Sequence, residues 1–240
     1  MGNNFFKFKQ FTVHQEHCAM KVCTDACIQG AFTAQYLAAR ETTAPAILDI
    51  GAGTGLLSLM LAQRVDAAIT AVELDAAAAA QAAQNFTASP WGNRITLTQQ
   101  DIRKMEDEVK YDFIITNPPF YESALKSGHV QKDQAMHATN LSYRELIAAI
   151  GRQLLPAGEV SVLLPYTAFD TFQVLAAAAG YHLKETLYIR QSIQHGFFRT
   201  VGIFSRIPSI TKVNELSVYD ANRVYTSAFV ELLQPYYLYL

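Results

Sequence analysis

The chain has 240 residues, half of them hydrophobic and 17% charged, with a formal net charge of −2. That length suits one α/β domain with a little extra; the composition argues against a disordered chain, and the net charge counts against a dedicated basic nucleic-acid-binding module without excluding a nucleic-acid substrate held by a local patch. No apolar run reaches the length of a membrane span, and residues 1–10 lack the apolar block and cleavage site of a signal peptide, so no membrane partner and a cytoplasmic setting are expected.

Residues 1–45 stand outside the regular alternation that follows. They read as short strand-like pieces over 5–13 and 21–25, then a helix near 28–40. Cys18, Cys23 and Cys27 lie close to His14 and His17, but the C-x4-C-x3-C spacing matches no zinc or iron–sulfur pattern. They are read as small buried hydrophobes, and no metal is expected. From residue 46 onward β-branched runs alternate with helical stretches. Candidate strands are 46–50, 68–73, 94–98, 112–116, 159–164, 184–190 and 200–206; candidate helices are 55–64, 76–86, 142–154 and 167–179. Strands alternating with helices imply βαβ units and a mostly parallel sheet. The last two strands have no helix between them, so the loop 191–196 should make them an antiparallel hairpin. Residues 225–240 read as a helix leading into an aromatic tail that docks on the body. The expected class is α/β and Rossmann-like: a mostly parallel seven-stranded sheet with a C-terminal antiparallel hairpin. The domain occupies 46–240 and is preceded by a short N-terminal extension, 1–45.

The first core strand ends in Asp49-Ile50-Gly51-Ala52-Gly53-Thr54-Gly55, and a helix of apolar period follows. Gly51, Gly53 and Gly55 let the backbone turn sharply and lie against a ligand. Such a loop also serves dinucleotides, but Asp49 would repel a pyrophosphate and suits a cation. S-adenosylmethionine carries a sulfonium and an ammonium group and no phosphate. The second strand ends in Glu73, 24 positions after Asp49, where a carboxylate can accept both hydroxyls of a ribose. Asp101 follows the third strand and is placed to accept from an adenine amino group, with Leu74 or Ile102 packing the ring. One acid alone is as well read as a helix cap; three at successive strand ends point to S-adenosylmethionine.

The fourth strand ends in Asn117-Pro118-Pro119-Phe120, the most specific feature of the chain. The Asn117 side-chain oxygen and the Pro118 carbonyl can both accept hydrogen bonds from one conjugated NH2 group. That aims the nitrogen lone pair and stabilises the charge that develops on it. Pro118 and Pro119 rigidify the backbone, and Phe120 offers a face for a planar base. A plain turn at a strand end is the competing reading.

With these motifs stated, the chain resembles class I amino-methyltransferases of the Asn/Asp-Pro-Pro-aromatic type. Phe8-Lys9-Gln10-Phe11-Thr12-Val13-His14-Gln15, Cys18-Ala19-Met20-Lys21-Val22, Thr24-Asp25, Ser89-Pro90-Trp91 and Tyr236-Tyr237-Leu238 narrow it. It is similar to the bacterial tRNA(Val) (adenine-N6)-methyltransferases, which modify the adenosine 3′ of the anticodon. The resemblance implies a class I methyltransferase fold, a tRNA substrate methylated at N6 of adenosine 37, and an N-terminal segment closing over the cofactor. It further implies Lys21, Thr24 and Asp25 as cofactor-side residues, although Cys23 and Ala26 stand where the family pattern has glycines. The polar stretch 121–139 is a candidate substrate-facing loop. Lys7 with Lys9, Arg103 with Lys104, and 126–132 are candidate phosphate patches, each equally readable as solvated surface. A monomer is the default expectation. Two other readings compete: a protein glutamine N5-methyltransferase, for whose helical substrate domain 45 residues are too few, and a non-catalytic RNA-binding scaffold, against which intact Asp49, Asn117 and Pro118 count.

Overall fold

A computed structural model describes residues 4–18, 20–40, 44–106, 108–118 and 141–240. Its centre is a mixed sheet of eight strands. In chain order, a hairpin of β1 (Phe5–Lys7) and β2 (Thr12–His14) precedes helix α1 (Thr24–Ala38). There follow β3 (Ala46–Ile50), α2 (Leu56–Arg64), β4 (Ala68–Glu73), α3 (Ala76–Thr87), β5 (Ile95–Gln99) and β6 (Tyr111–Thr116). After the stretch 119–140, which lies outside the described residues, come α4 (Tyr143–Gln153), β7 (Leu154–Pro165) and α5 (Tyr166–Ala178). The chain ends in β8 (His182–Ser192), β9 (Phe197–Ser205), β10 (Lys212–Tyr219) and α6 (Ser227–Leu233).

The strand order is β10-β8-β9-β7-β6-β3-β4-β5. Only β9 runs against the rest: it pairs antiparallel with β7 and with β8, while every other pair in the sheet is parallel. The expected β8–β9 hairpin is present, and β9 inserts between β7 and β8. The expected count of seven strands is corrected to eight. The added strand, β10, sits at the edge beside β8 and carries Lys212, Asn214 and Glu215 outward among Leu216 and Val218, so its apolar alternation is too thin to read.

A core covers each face. Phe8, Ile28, Leu59, Met60, Phe113 and Phe229 belong to one, which joins the N-terminal hairpin, α1, α2 and α6. Leu146, Ile150, Phe169, Phe172 and Phe204 belong to the other, under α4 and α5. Helix starts are chemically marked: Asp75 accepts from Ala78 N–H at 2.8 Å, and Ser142 and Glu145 form a reciprocal capping box. The helix expected near 28–40 begins earlier, at Thr24, directly after an extended Cys23. All strands but β9 point their carboxyl ends to one edge, and order reverses between β3 and β6. Ligands of open α/β sheets sit at that crevice.

Candidate active site

At this edge lies a cavity of about 610 Å³. Its floor is the glycine loop, its walls come from the ends of β4, β5 and β6, and residues of the N-terminal segment close one side. Gly51 and Gly53 hold φ of +73° and +56°, and a Cβ on either would meet nothing within 4 Å. The loop therefore offers bare backbone to whatever fills the cavity. Gly55 serves differently. Its φ is +80°, and a Cβ would stand 2.3 Å from the Phe86 ring, so this glycine permits close packing of α2 on α3 and does not line the cavity.

The sequence-predicted acids separate into three situations. Glu73 lines the cavity, with Oε2 accepting from Gly53 N–H at 2.8 Å and Oε1 from Asp75 N–H at 2.9 Å. Two backbone donors fix the carboxylate, and each oxygen retains acceptor capacity for a diol. Asp101 also lines the cavity, but Arg103 grips it through Nε at 2.9 and 3.0 Å and Nη2 at 2.7 Å. Those hydrogen bonds hold the Asp101 carboxyl below its usual range. Asp49 is fully buried behind the loop and does not line the cavity. Its Oδ2 accepts from the Ser58 hydroxyl at 2.7 Å and Ser58 N–H at 3.2 Å, which ties β3 to α2. Its Oδ1 has no hydrogen-bond partner among the described residues, and burial pushes the carboxyl up to about 7. Asp49, expected to suit a cation, thus sits one layer below the cavity surface, with one acceptor atom unspent among the described residues.

Lys21, Leu74 and Ile102 line the cavity. Thr24 and Asp25, expected on the cofactor side, do not. Asp25 Oδ2 accepts from Arg199 Nε at 2.7 Å, a partner far along the chain that draws it away, and Thr24 is the first residue of α1. Cys18 and Cys23 line the cavity, while Cys27 is buried in the core; burial pushes the three thiols up to about 11, 12 and 12. Among the described residues no three His, Cys, Asp or Glu side chains converge on a point.

Asn117 and Pro118 follow β6 directly across from the loop, since Thr116 pairs with Ile50 and donates through Oγ1 to its carbonyl at 2.9 Å. Asn117 lines the cavity, and its Oδ1 is buried with no hydrogen-bond partner among the described residues. An orphaned acceptor of this kind costs free energy unless a ligand supplies the donor. Pro119 and Phe120 lie outside the described residues.

Two residues escape sequence reasoning. Gln29, fully buried on α1, donates to the Thr116 carbonyl at 2.9 Å, immediately before Asn117. Asn85 on α3 donates to the carbonyls of Thr54 and His14, both at 2.9 Å, and accepts from His14 N–H at 2.9 Å, which joins the glycine loop to the N-terminal hairpin. Neither has a local signal. Arg103, expected with Lys104 as a candidate phosphate patch, lines the cavity and is engaged with Asp101.

The site fits a cationic nucleoside cofactor. Bare glycine backbone faces the cavity, a tethered carboxylate stands at the second strand end, and the buried Oδ1 atoms of Asp49 and Asn117 have no partner among the described residues. Residues 30–183 match the Methyltransferase small domain family. A Bacteroides fragilis (strain YCH46) protein named tRNA1(Val) (adenine(37)-N6)-methyltransferase is 40% identical over 241 residues, covering 99% of each chain. The protein of the same name from Dyadobacter fermentans is 44% identical with 98% of each covered, and that from Citrobacter koseri 35%, with 100% of this chain and 97% of its own covered. Among solved structures, a predicted O-methyltransferase from Agrobacterium tumefaciens superposes with a TM-score of 0.67 at 16% identity, over 88% of this chain and 96% of that one. A methyltransferase from Pyrococcus furiosus gives 0.54 at 21%, over 74% and 82%. The fold is that of class I methyltransferases, and with full-length relatives at this level the chain belongs to the tRNA1(Val) (adenine(37)-N6)-methyltransferase family.

Proposed function

We propose that this chain transfers a methyl group from S-adenosylmethionine to N6 of the adenosine at position 37 of a valine tRNA. The observation that carries the reading is the buried, unpartnered Oδ1 of Asn117 at the cavity wall, in a chain whose full-length relatives bear that activity in their names. The cofactor supplies an electrophilic methyl group on a sulfonium. Glu73 holds the ribose hydroxyls, and Gly51 and Gly53 let the backbone approach. Leu74 and Ile102 pack the adenine, with Asp101 accepting from its amino group while Arg103 keeps that carboxylate ionised. Lys21 belongs to the extension, residues 1–45, which closes over the cavity and is pinned there by Asn85; residues 46–240 form the catalytic domain.

Asn117 Oδ1 and the Pro118 carbonyl accept the two hydrogens of the target amino group. The lone pair is thereby turned out of conjugation and toward the methyl, and the acceptors strengthen as the nitrogen becomes positive. The proton leaves to water afterwards, when it has become acidic, so no side-chain base is required. The roles expected from sequence for Pro119 and Phe120, rigidity and a stacking face for the flipped base, belong to this reading although both lie outside the described residues. A tRNA substrate places the enzyme in the cytoplasm.

The test pairs two measurements. Mass spectrometry of tRNA nucleosides should show N6-methyladenosine formed from S-adenosylmethionine by the wild-type chain. Asn117→Ala should keep its cofactor affinity and lose about 10²–10³ in turnover. A folded Asn117→Ala variant that methylates saturating tRNA at the wild-type rate would refute the role of this residue.

A further inference from the structure

Three aromatic rings at the carboxyl edge belong to neither core. Tyr166 opens α5, Tyr188 lies near the end of β8 and Phe197 begins β9. Their ring centroids form a triangle of 5.7 Å (Tyr166 to Tyr188), 5.6 Å (Tyr166 to Phe197) and 5.4 Å (Tyr188 to Phe197). None packs into the two hydrophobic cores, and Tyr166 leaves 42% of its surface exposed. Arg190 stacks over the Phe197 ring at 5.2 Å, oriented by Ser217 Oγ at 2.7 Å and Glu215 at 3.3 Å. Three large rings that contribute nothing to a core, with a guanidinium fixed on one of them, make a stacking surface for planar ligands.

The topology places this surface beside the active site. β7 is parallel to β6 and ends at Pro165, next to Tyr166; β9 starts opposite, with Arg199 paired to Pro165. The rings therefore share the edge that bears Asn117. Strands lie about 4.8 Å apart, so β9 is roughly 10 Å and β8 roughly 14 Å from β6 along that edge. That is the reach of the next one or two nucleotides when one base is held at Asn117. The Asp25–Arg199 ion pair, 2.7 Å long, joins the same end of β9 to the extension that walls the cavity.

We infer that Tyr166, Tyr188 and Phe197, with Arg190, form a platform on which a single-stranded RNA base flanking the methylated adenosine stacks. This rests on the proposed function, and the experiment separates the two. The readouts are affinity for an anticodon stem–loop RNA by fluorescence anisotropy, KM for tRNA, S-adenosylmethionine affinity by calorimetry and melting temperature. Tyr166→Leu keeps apolar bulk but removes the π face. It should weaken RNA binding and raise KM about five-fold or more while leaving cofactor affinity and melting unchanged, and Tyr166→Phe should restore the RNA affinity. Arg190→Gln, which removes the cation from the ring, should weaken RNA binding in the same direction. If the wild type methylates tRNA and Tyr166→Leu binds the stem–loop as the wild type does, the platform is refuted and the proposed function stands. If the wild type methylates no tRNA, both are overturned.

Discussion

Asp49 gives a prediction whose size can be worked from the structure. Its carboxyl is pushed up to about 7 from an ordinary 3.8, chiefly by burial, with the two Ser58 hydrogen bonds opposing the shift. A rise of about three pH units corresponds to roughly 4 kcal/mol between the two protonation states. The sign follows from proton counting. Between about pH 4 and pH 7 the folded chain holds a proton at Asp49 that the unfolded chain has already released. Folding is therefore penalised progressively as pH rises through that window, and the full penalty stands above it. Asp49→Asn removes the titration while keeping an acceptor for Ser58. Urea unfolding of both proteins at about pH 4.5, 6 and 8 should show the variant gaining on the wild type as pH rises. The change in the difference should approach 4 kcal/mol as an upper figure, since water entering the loop would reduce it. A cationic ligand near the unspent Oδ1 favours the ionised form, so saturating S-adenosylmethionine should shrink the gap. Parallel profiles, with a difference independent of pH, would show that Asp49 is ionised in the folded chain and refute the reasoning.

Glu73→Ala strips an acceptor from two backbone N–H groups and from the cavity; calorimetry should find S-adenosylmethionine affinity lowered about 10- to 150-fold, and an unchanged value would remove Glu73 from the cofactor site. Gly51→Ala and Gly55→Ala should fail in opposite ways. At Gly55 the added Cβ meets Phe86 at 2.3 Å, so overpacking of about 1–3 kcal/mol adds to the left-handed backbone cost and thermal stability should drop most. At Gly51 nothing is met within 4 Å, so stability should fall only by the backbone cost of about 1–2 kcal/mol while cofactor binding suffers. Equal melting temperatures for the two variants would contradict that division.

Much of this was readable from the chain because the signals are local. β3 and β4 coincide with the expected 46–50 and 68–73, since each is a short β-branched run stopped by glycine or by the Asp75 cap. Glu73, Asp101 and Asn117 were placed by one rule, that ligand-facing residues follow parallel strands at their carboxyl ends. The misses are non-local. Asp25 meets Arg199 across 174 positions, and no periodicity announces such a pair. Gln29 reaches Thr116 across 87 positions from the middle of a helix, where a glutamine ordinarily reads as solvated surface. The depth of Asp49, buried behind the loop, has no sequence signal, because spacing gives the order of residues along a strand end but not how far each lies below the cavity.

The two halves of the sheet carry separate tasks, and this decides where RNA can enter. On one side of the crevice, β3, β4 and β5 end in Ile50, Glu73 and Gln99, which line the cavity. Leu74, Asp75 and Asp101 extend that wall, which is the side the proposed reading gives to the cofactor. On the other side, β6 presents Asn117, and at the same edge β7 ends in Pro165, the antiparallel β9 begins at Phe197 and β8 ends in Ser192, none of them lining the cavity. The N-terminal segment is fastened to both sides, by Asn85 to the glycine loop and by Asp25 to Arg199 on β9. A substrate base bound at Asn117 is then bounded by cofactor on one flank and by this strap above. Among the described residues, the rings of Tyr166, Tyr188 and Phe197 stand over the strands beyond β6, where the inferred platform would meet its neighbours along the RNA chain.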